Sequence, residues 1–305
     1  MIPNGGRTLR GRRFHAGRIA ATRVLGAALA LAVAGCVSIT AKPRALLLLD
    51  DGSVRVQTLS CPQEIERMLA AHRRATNSGL DPHAIRMTSW NIHKQADPGW
   101  QRDLHDFGER SDLVLLQESV LDPPLRDVID AEGFRWVMAS SFLEAGVDIG
   151  VLTASKIAPV ANCTQRVVEP LLRIPKSAVI SWFPIAGRRE TLAVVNVHAI
   201  NFSLSLGAFR AQFDAIGDAL EHHDGPLIVA GDLNTWTDAR LAAVRALAAR
   251  LHLTEVRFTT DRRSLFFGHE LDHIYTRDLA TVTSFATVVT SSDHNPVAAT
   301  LSVVR

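Results

Sequence analysis

The ten residues from Leu227 to Trp236, LIVAGDLNTW, restrict the fold more than any other stretch, because an apolar run there stops abruptly at an acid and, two residues on, an amide. Leu227 to Ala230 read as a buried strand, and Gly231 lets the chain turn at its end at little steric cost. Asp232 and Asn234 then share one face of the exit, where an acceptor and a donor can hold a water or a metal on one side and a phosphate oxygen on the other. A plainer arrangement also fits: a strand, then an Asx turn capping a helix that starts near Asp238.

Other segments end in the same way. IRMTSWNIH (85–93) runs into Asn91, DLVLLQE (112–118) into Glu118, and TLAVVNVHAIN (191–201) into His198 and Asn201. LDHIY (271–275) sets Asp272 among apolar residues, and SSDHNP (291–296) adds Asp293 and His294. No sheet needs all of these for stability.

Taken in order, WNIHK, LQES, NVHAIN, GDLN, LDHIY and SDHNP resemble the endonuclease/exonuclease/phosphatase superfamily of metal-dependent phosphodiesterases, over roughly residues 85 to 305. LLRIPKSAVISWFPI and NVHAINFSL are similar to its bacterial YafD-like subgroup. The resemblance implies an α/β fold, a four-layer αββα sandwich of two mixed sheets (DNase I-like), in which residues from the whole segment converge on one site.

Phosphodiester hydrolysis needs an activated water, neutralised charge in the transition state, and a leaving oxygen that is protonated or metal-bound. Glu118, with Asn91 beside it, is the expected hard-oxygen site for Mg2+ or Mn2+, and Asp293 either completes the metal shell or supports it from behind. In the superfamily, the acid matching Asp272 holds the histidine matching His294 in one tautomer. Whether His294 removes a proton or stabilises the phosphate stays open; Asp232 is the rival base, with Asn234 orienting the water or the phosphate. His198 matches a position that contacts the phosphate or assists the leaving group. Asn201 is a phosphate contact, Lys94 a phosphate contact or a plain surface lysine, and Lys176 a weaker case. His222, His223 and His252 read as surface histidines at helix ends. Phe266, Phe267 and His269 belong either to the edge of a substrate mouth or to ordinary packing.

Ahead of this region, residues 1 to 36 hold six arginines and no acid, with an apolar run from Val24 to Ala34. That run is about a dozen residues where a span needs about 20, so it reads as a signal peptide. Val33-Ala34-Gly35-Cys36 resembles the bacterial lipobox, which makes Cys36 the expected lipidation site and the cell envelope the expected location. Without the segment, 27 basic residues face 31 acidic ones, a formal charge of −4 instead of +2. No basic stripe of the kind that grips duplex nucleic acid is evident. Cys61 and Cys163 remain; they allow one disulfide, and nothing in their spacing says that they meet.

Residues 37–84 read as a hairpin over Ala45 to Leu59, a helix from Pro62 to about Arg74, and a linker, TNSGLDP, into the domain at 85–305. Helices are expected at 99–107, 124–132, 206–223 and 239–251, and strands near 134–139, 147–154, 178–185, 190–198, 226–231, 271–275, 283–289 and 297–303. The function expected of this chain is divalent-metal-dependent phosphodiester hydrolysis, foremost as a nuclease at the cell envelope. Its expected partners are nucleic acid and, through Cys36, a membrane, with no protein partner. A phospholipid or sphingolipid phosphodiesterase is the nearest alternative, inositol phosphates are a third substrate class, and a non-catalytic binding lipoprotein is the reading of another kind.

Overall fold

The computed structural model describes Met1 and residues 37–71, 78–203 and 205–304, so the signal segment and Cys36 lie outside the described residues. Nine strands make one sheet: β1 (Val37–Ser38), β2 (Arg44–Leu48), β3 (Val54–Gln57), β4 (Ile85–Asn91), β5 (Leu113–Val120), β6 (Arg135–Glu144), β7 (Val147–Ser155), β16 (Leu279–Ala286) and β17 (Val297–Val303). Six make a second: β8 (Ala161–Val168), β9 (Pro175–Pro184), β10 (Thr191–His198), β11 (Leu227–Asp232), β12 (Thr254–Glu255) and β15 (Asp272–Arg277). A small separate hairpin pairs β13 (Leu265–Phe266) with β14 (His269–Glu270). Both large sheets are mixed, with parallel pairs at β4/β5 and β10/β11.

Among the described residues the α-helices are α1 (Cys61–Ala71), α2 (Trp100–Glu109), α3 (Pro123–Ala131), α4 (Gly207–Leu220) and α5 (Asp238–Arg250). Local chemistry fixes two starts: Asp122 accepts from Leu125 N at 3.0 Å with Pro123 behind it, and Thr237 accepts from Arg240 N. Trp100, Leu104, Leu125 and Ile129 pack on the outer face of the first sheet, and Phe209, Phe213, Val244 and Leu247 on that of the second. Between the sheets, Ile85, Met87, Leu113 and Leu115 meet Leu192, Val194, Ile228 and Ala230. Four layers, αββα, are the result. Strands buried on both faces carry continuous apolar runs, and that is why these segments stood out in the sequence.

A polar cluster crosses the inner core: Gln117 Nε2 donates to Asn196 Oδ1 at 2.6 Å, and Asn196 Nδ2 donates to Leu116 O and Leu152 O. It locks the register of the two sheets next to the site.

The structure revises several expectations. The strand Ala161–Val168 was not foreseen, because its sequence ANCTQRVV is too polar to stand out. The strand expected at 283–289 begins at Leu279 and ends at Ala286, where pairing with Val297 stops. Leu80, in the expected linker, is a core residue whose N–H donates to Pro184 O at 2.9 Å. The hairpin extends the edge of the first sheet through β2 and β6. Cys61 and Cys163 form a disulfide that ties α1 to β8 across 102 residues of sequence. His223 is buried, not at the surface, because the turn after α4 folds its ring against Pro226 O.

Candidate active site

The residues of the inter-sheet core obey a period of two, and the site is that same parity carried to the strand ends. In β11, Ile228 and Ala230 point between the sheets, and Asp232 is next in the series. In β10 the series Leu192, Val194, Asn196 ends at His198; in β15, Ile274 is preceded by Asp272; in β4, Ile85 and Met87 lead to Asn91. Register then aligns them, because His198 lies opposite Asp232 and Asp232 opposite Asp272. Glu118 breaks the rule. A bulge between Leu116 and Ser119, with Glu118 at φ 51°, swings its carboxylate to the end of the strand. Beside it, His93, Lys94 and Gln95 take three successive left-handed conformations, a strained turn of the kind found at functional sites.

Asp232 is the hub. Its Oδ2 accepts from Asn91 Nδ2 at 3.1 Å and lies 3.4 Å from His198 Nε2 and 3.9 Å from His294 Nε2. Its Oδ1 accepts from Asn234 N at 3.1 Å, which is the Asx turn that the sequence allowed, so one carboxylate both makes the turn and faces the site. His294 Nδ1 lies 2.7 Å from Asp272 Oδ2, leaving Nε2 toward the centre. His198 Nε2 sits 2.9 Å from Lys176 Nζ and 3.7 Å from Glu118 Oε1.

Burial and charge set the protonation states. Burial, with the Asp272 charge added, raises Asp232 to about 6, against the pull of His294, Lys176 and the Asn91 hydrogen bond. For His294, burial opposes the cation, yet Asp272 and Asp232 outweigh it and push the ring up to about 10. His198 falls well below the ordinary histidine value, through burial first and then the Lys176 and His294 charges. One histidine is therefore a held cation and the other a neutral acceptor.

Of the expected residues, Asn91, Glu118, His198, Asn201, Asp232, Asn234, Asp293 and His294 line one depression of about 250 Å³, with Asp272 directly behind His294. Asn234 Nδ2 donates to Ala199 O, and Asn201 Oδ1 accepts from Trp236 Nε1, so both amides are partly spent on holding loops. Asp293 is largely exposed and nearest to His93, at 3.9 Å. Lys94 lies toward Glu144 at 3.7 Å and over the Phe142 ring, on a neighbouring wall.

Several contributors were missed or discounted in the sequence. Lys176 is in the site, and the signal for it was pairing: Ala178 lies opposite Val197, so Lys176 must fall beside the end of β10. Arg240 is buried between the Phe209 and Trp236 rings and donates to Ile200 O, Asn234 O and Asn201 O; burial lowers it to about 10. Ser292 donates to Asn91 O and accepts from His294 N, tying the last loop to β4. No local pattern marks Arg240 or Ser292.

Among the described residues, Asp232, Asp272 and His294 bring three ligand atoms within 4.8 Å of one another. In that group Asp272 is already spent on His294, its Oδ2 lying 2.7 Å from Nδ1. Glu118 does better: its carboxylate is partly exposed, and its neighbouring basic side chains, at Lys176 Nζ and His198 Nε2, stand at 3.8 and 3.7 Å, beyond hydrogen-bond reach. With Asn91 alongside, this donor set fits a hard divalent cation.

Gly231 makes the geometry possible. Its φ is 141°, and a Cβ there would fall 2.0 Å from Val197 O. Gly231→Ala is expected to destabilise the fold by about 3 kcal/mol or more and to displace Asp232. Thermal unfolding and turnover measured on the same sample check both effects.

Residues 88–294 match the Endonuclease/Exonuclease/phosphatase family. The UPF0294 protein of Klebsiella pneumoniae (strain 342) is 39% identical over 212 residues, 70% of this chain and 80% of that protein. Among solved structures, the endonuclease/exonuclease/phosphatase from Bacteroides vulgatus superposes with a TM-score of 0.58 at 18% identity, covering 72% of this chain and 99% of that one. A mannosyl-6-phosphatase from Bacteroides thetaiotaomicron VPI-5482 gives a TM-score of 0.57 at 14% identity, covering 71% and 99%. At such identities the structures speak for the fold, whereas the family match and the Klebsiella relative speak for descent. The chain belongs to the endonuclease/exonuclease/phosphatase family of hydrolases that act on phosphate esters.

Proposed function

We propose that this protein is a divalent-metal-dependent hydrolase of phosphodiesters, working at the cell envelope behind an anchor at Cys36. The observation that carries the reading is the division of labour around Asp232: a carboxylate raised to about 6, a neighbouring imidazolium, and a separate open carboxylate at Glu118. Asp232 accepts the proton of the attacking water, with Asn234 fixing its carboxylate through the backbone. His294, oriented by Asp272, presents Nε2–H to the phosphoryl oxygens and stabilises the charge that develops there. Lys176, beside His198, adds positive charge on the opposite side. A Mg2+ or Mn2+ ion at Glu118 and Asn91, with Asp293 close by, supplies Lewis-acid stabilisation of the phosphate when bound.

Nucleic acid as substrate has one structural feature in its favour: Phe266 and Phe267 are exposed, meet Trp236 edge-on, and Phe266 borders the site, where it offers a ring face to a base. A non-catalytic binding lipoprotein has none. Full-length protein in detergent is expected to release p-nitrophenolate from bis-p-nitrophenyl phosphate with Mg2+ or Mn2+ and to stop in EDTA. His294→Ala is expected to cut kcat by about 10³-fold. Metal-independent release, or none with metal bound, would refute the proposal.

A further inference from the structure

A second depression opens beside the phosphate site and shares Glu118, His198 and Phe202 with it. Its walls are Phe142, Ile149, Leu172, Ile174 and Pro175, and it encloses about 170 Å³. Away from the shared Glu118, two of its polar groups are already engaged. Glu169 Oε1 accepts from Asn201 N and Phe202 N, and Ser141 Oγ donates to Ser177 Oγ. Lys176 and Lys94 stand at its boundary, next to His198 and Glu144 respectively.

A nucleobase laid on Phe142, Ile149, Leu172, Ile174 and Pro175 would bury hydrogen-bonding edges against side chains that cannot pair with them, at a cost of about 1–3 kcal/mol per group. An alkyl or aryl group would lose nothing, and a cavity of roughly this size lined by Leu, Ile and Phe takes up a benzene-sized molecule. The rim continues the apolar character outward, since Leu171, Leu172 and Phe202 are 54%, 49% and 50% exposed. The start of the described chain lies on the same side: Val37 pairs with Glu144, the acid facing Lys94.

We propose that this cleft is the subsite for an apolar arm of the substrate, so that the phosphodiester is one esterified to an alkyl-bearing alcohol, as in a membrane phospholipid. The proposal rests on the hydrolase reading above and narrows its substrate class. The scissile phosphate sits over Asp232 and His294, and the first several carbons of the arm lie between Phe142, Ile149 and Ile174.

The test is a series of alkyl p-nitrophenyl phosphate diesters, methyl to hexyl, assayed with Mg2+. Water adds to phosphorus, the bond to p-nitrophenolate breaks, and an alkyl phosphate is left. We expect kcat/KM to rise about fourfold per methylene until the cleft is full. Leu172→Glu and Ile174→Ala should each lower the hexyl-to-methyl ratio by about tenfold or more, a ratio that cancels any loss of folded protein. A flat series, or a thymidine 5′-p-nitrophenyl phosphate that outpaces the hexyl ester, would overturn the proposal. Vesicles of phosphatidylglycerol and monomeric dihexanoyl phosphatidylglycerol separate the sources: turnover of vesicles points to membrane lipid, turnover of monomers alone to a soluble alkyl phosphodiester. Calorimetric titration with monohexyl against monomethyl phosphate stands apart from turnover. Equal binding of the two would refute the cleft even if every diester were silent, a silence that would instead sink the hydrolase reading.

Discussion

Asp232→Asn is expected to lower kcat/KM by about 10³- to 10⁴-fold while making the metal-free protein more stable at neutral pH. The reason is the cost of ionising a fully buried carboxylate. Its value is about 6 in the folded chain against an ordinary 3.8, and about 1.4 kcal/mol per unit puts the penalty near 3 kcal/mol. The sign follows from proton binding. Below pH 3.8 both folded and unfolded states are protonated and the group is neutral to stability; between 3.8 and 6 only the unfolded state ionises, so the penalty grows; above 6 it is constant. Asparagine retains one acceptor oxygen for Asn91 Nδ2 and Asn234 N and forfeits the other, which reduces the gain to about 1–2 kcal/mol. Unfolding in EDTA should therefore show the variant ahead by several degrees at pH 7.5 and behind wild type near pH 3.8, where only the lost acceptor counts. A variant less stable at pH 7.5 would mean that Asp232 holds the site together instead of being held by it.

Glu118→Gln is expected to weaken Mn2+ binding by about 100-fold or more and to abolish hydrolysis at millimolar Mg2+. Glutamine keeps the shape and the bulge but removes the charge of a carboxylate whose neighbouring basic side chains, Lys176 and His198, stand beyond hydrogen-bond distance. Titration calorimetry with Mn2+ measures this directly. The competing location, among Asp232, Asp272 and His294, makes the opposite prediction: Glu118→Gln would bind normally and Asp232→Asn would not.

The two variants also separate the roles in the proposed chemistry. Loss of metal binding at Glu118 with turnover lost in parallel, beside intact metal binding at Asp232 with turnover lost, assigns the ion to one side of the site and the base to the other.

Much of the site was legible from the chain because the strands that carry it are buried on both faces. Leu227 to Asp232 and Thr191 to His198 are nearly unbroken apolar runs, so a polar residue at their ends is conspicuous without any knowledge of the fold, and Ile85 to Asn91, more mixed, ends in the same way. The order of those ends also announced the family and the four layers. What was not legible is whatever depends on neighbours far away in sequence. Lys176 reads as a surface lysine until β9 is laid against β10, and Arg240 reads as a helix-face arginine until the loop at 199–203 closes over it. Strand β8 was missed because its apolar partners, α1 and α4, come from other parts of the chain.

By itself, then, the sequence determined which residues stand at strand ends, since burial on two faces leaves only the ends free to be polar. Tertiary structure alone decided their chemistry. Asp232 and His294 both hold their protons more tightly than usual because β11, β15 and the last loop bring two acids and one imidazole together where all three are buried. The apolar cleft beside them exists only because β6, β7 and β9 close around Phe142, Ile149 and Pro175, residues that no local pattern distinguishes from ordinary core.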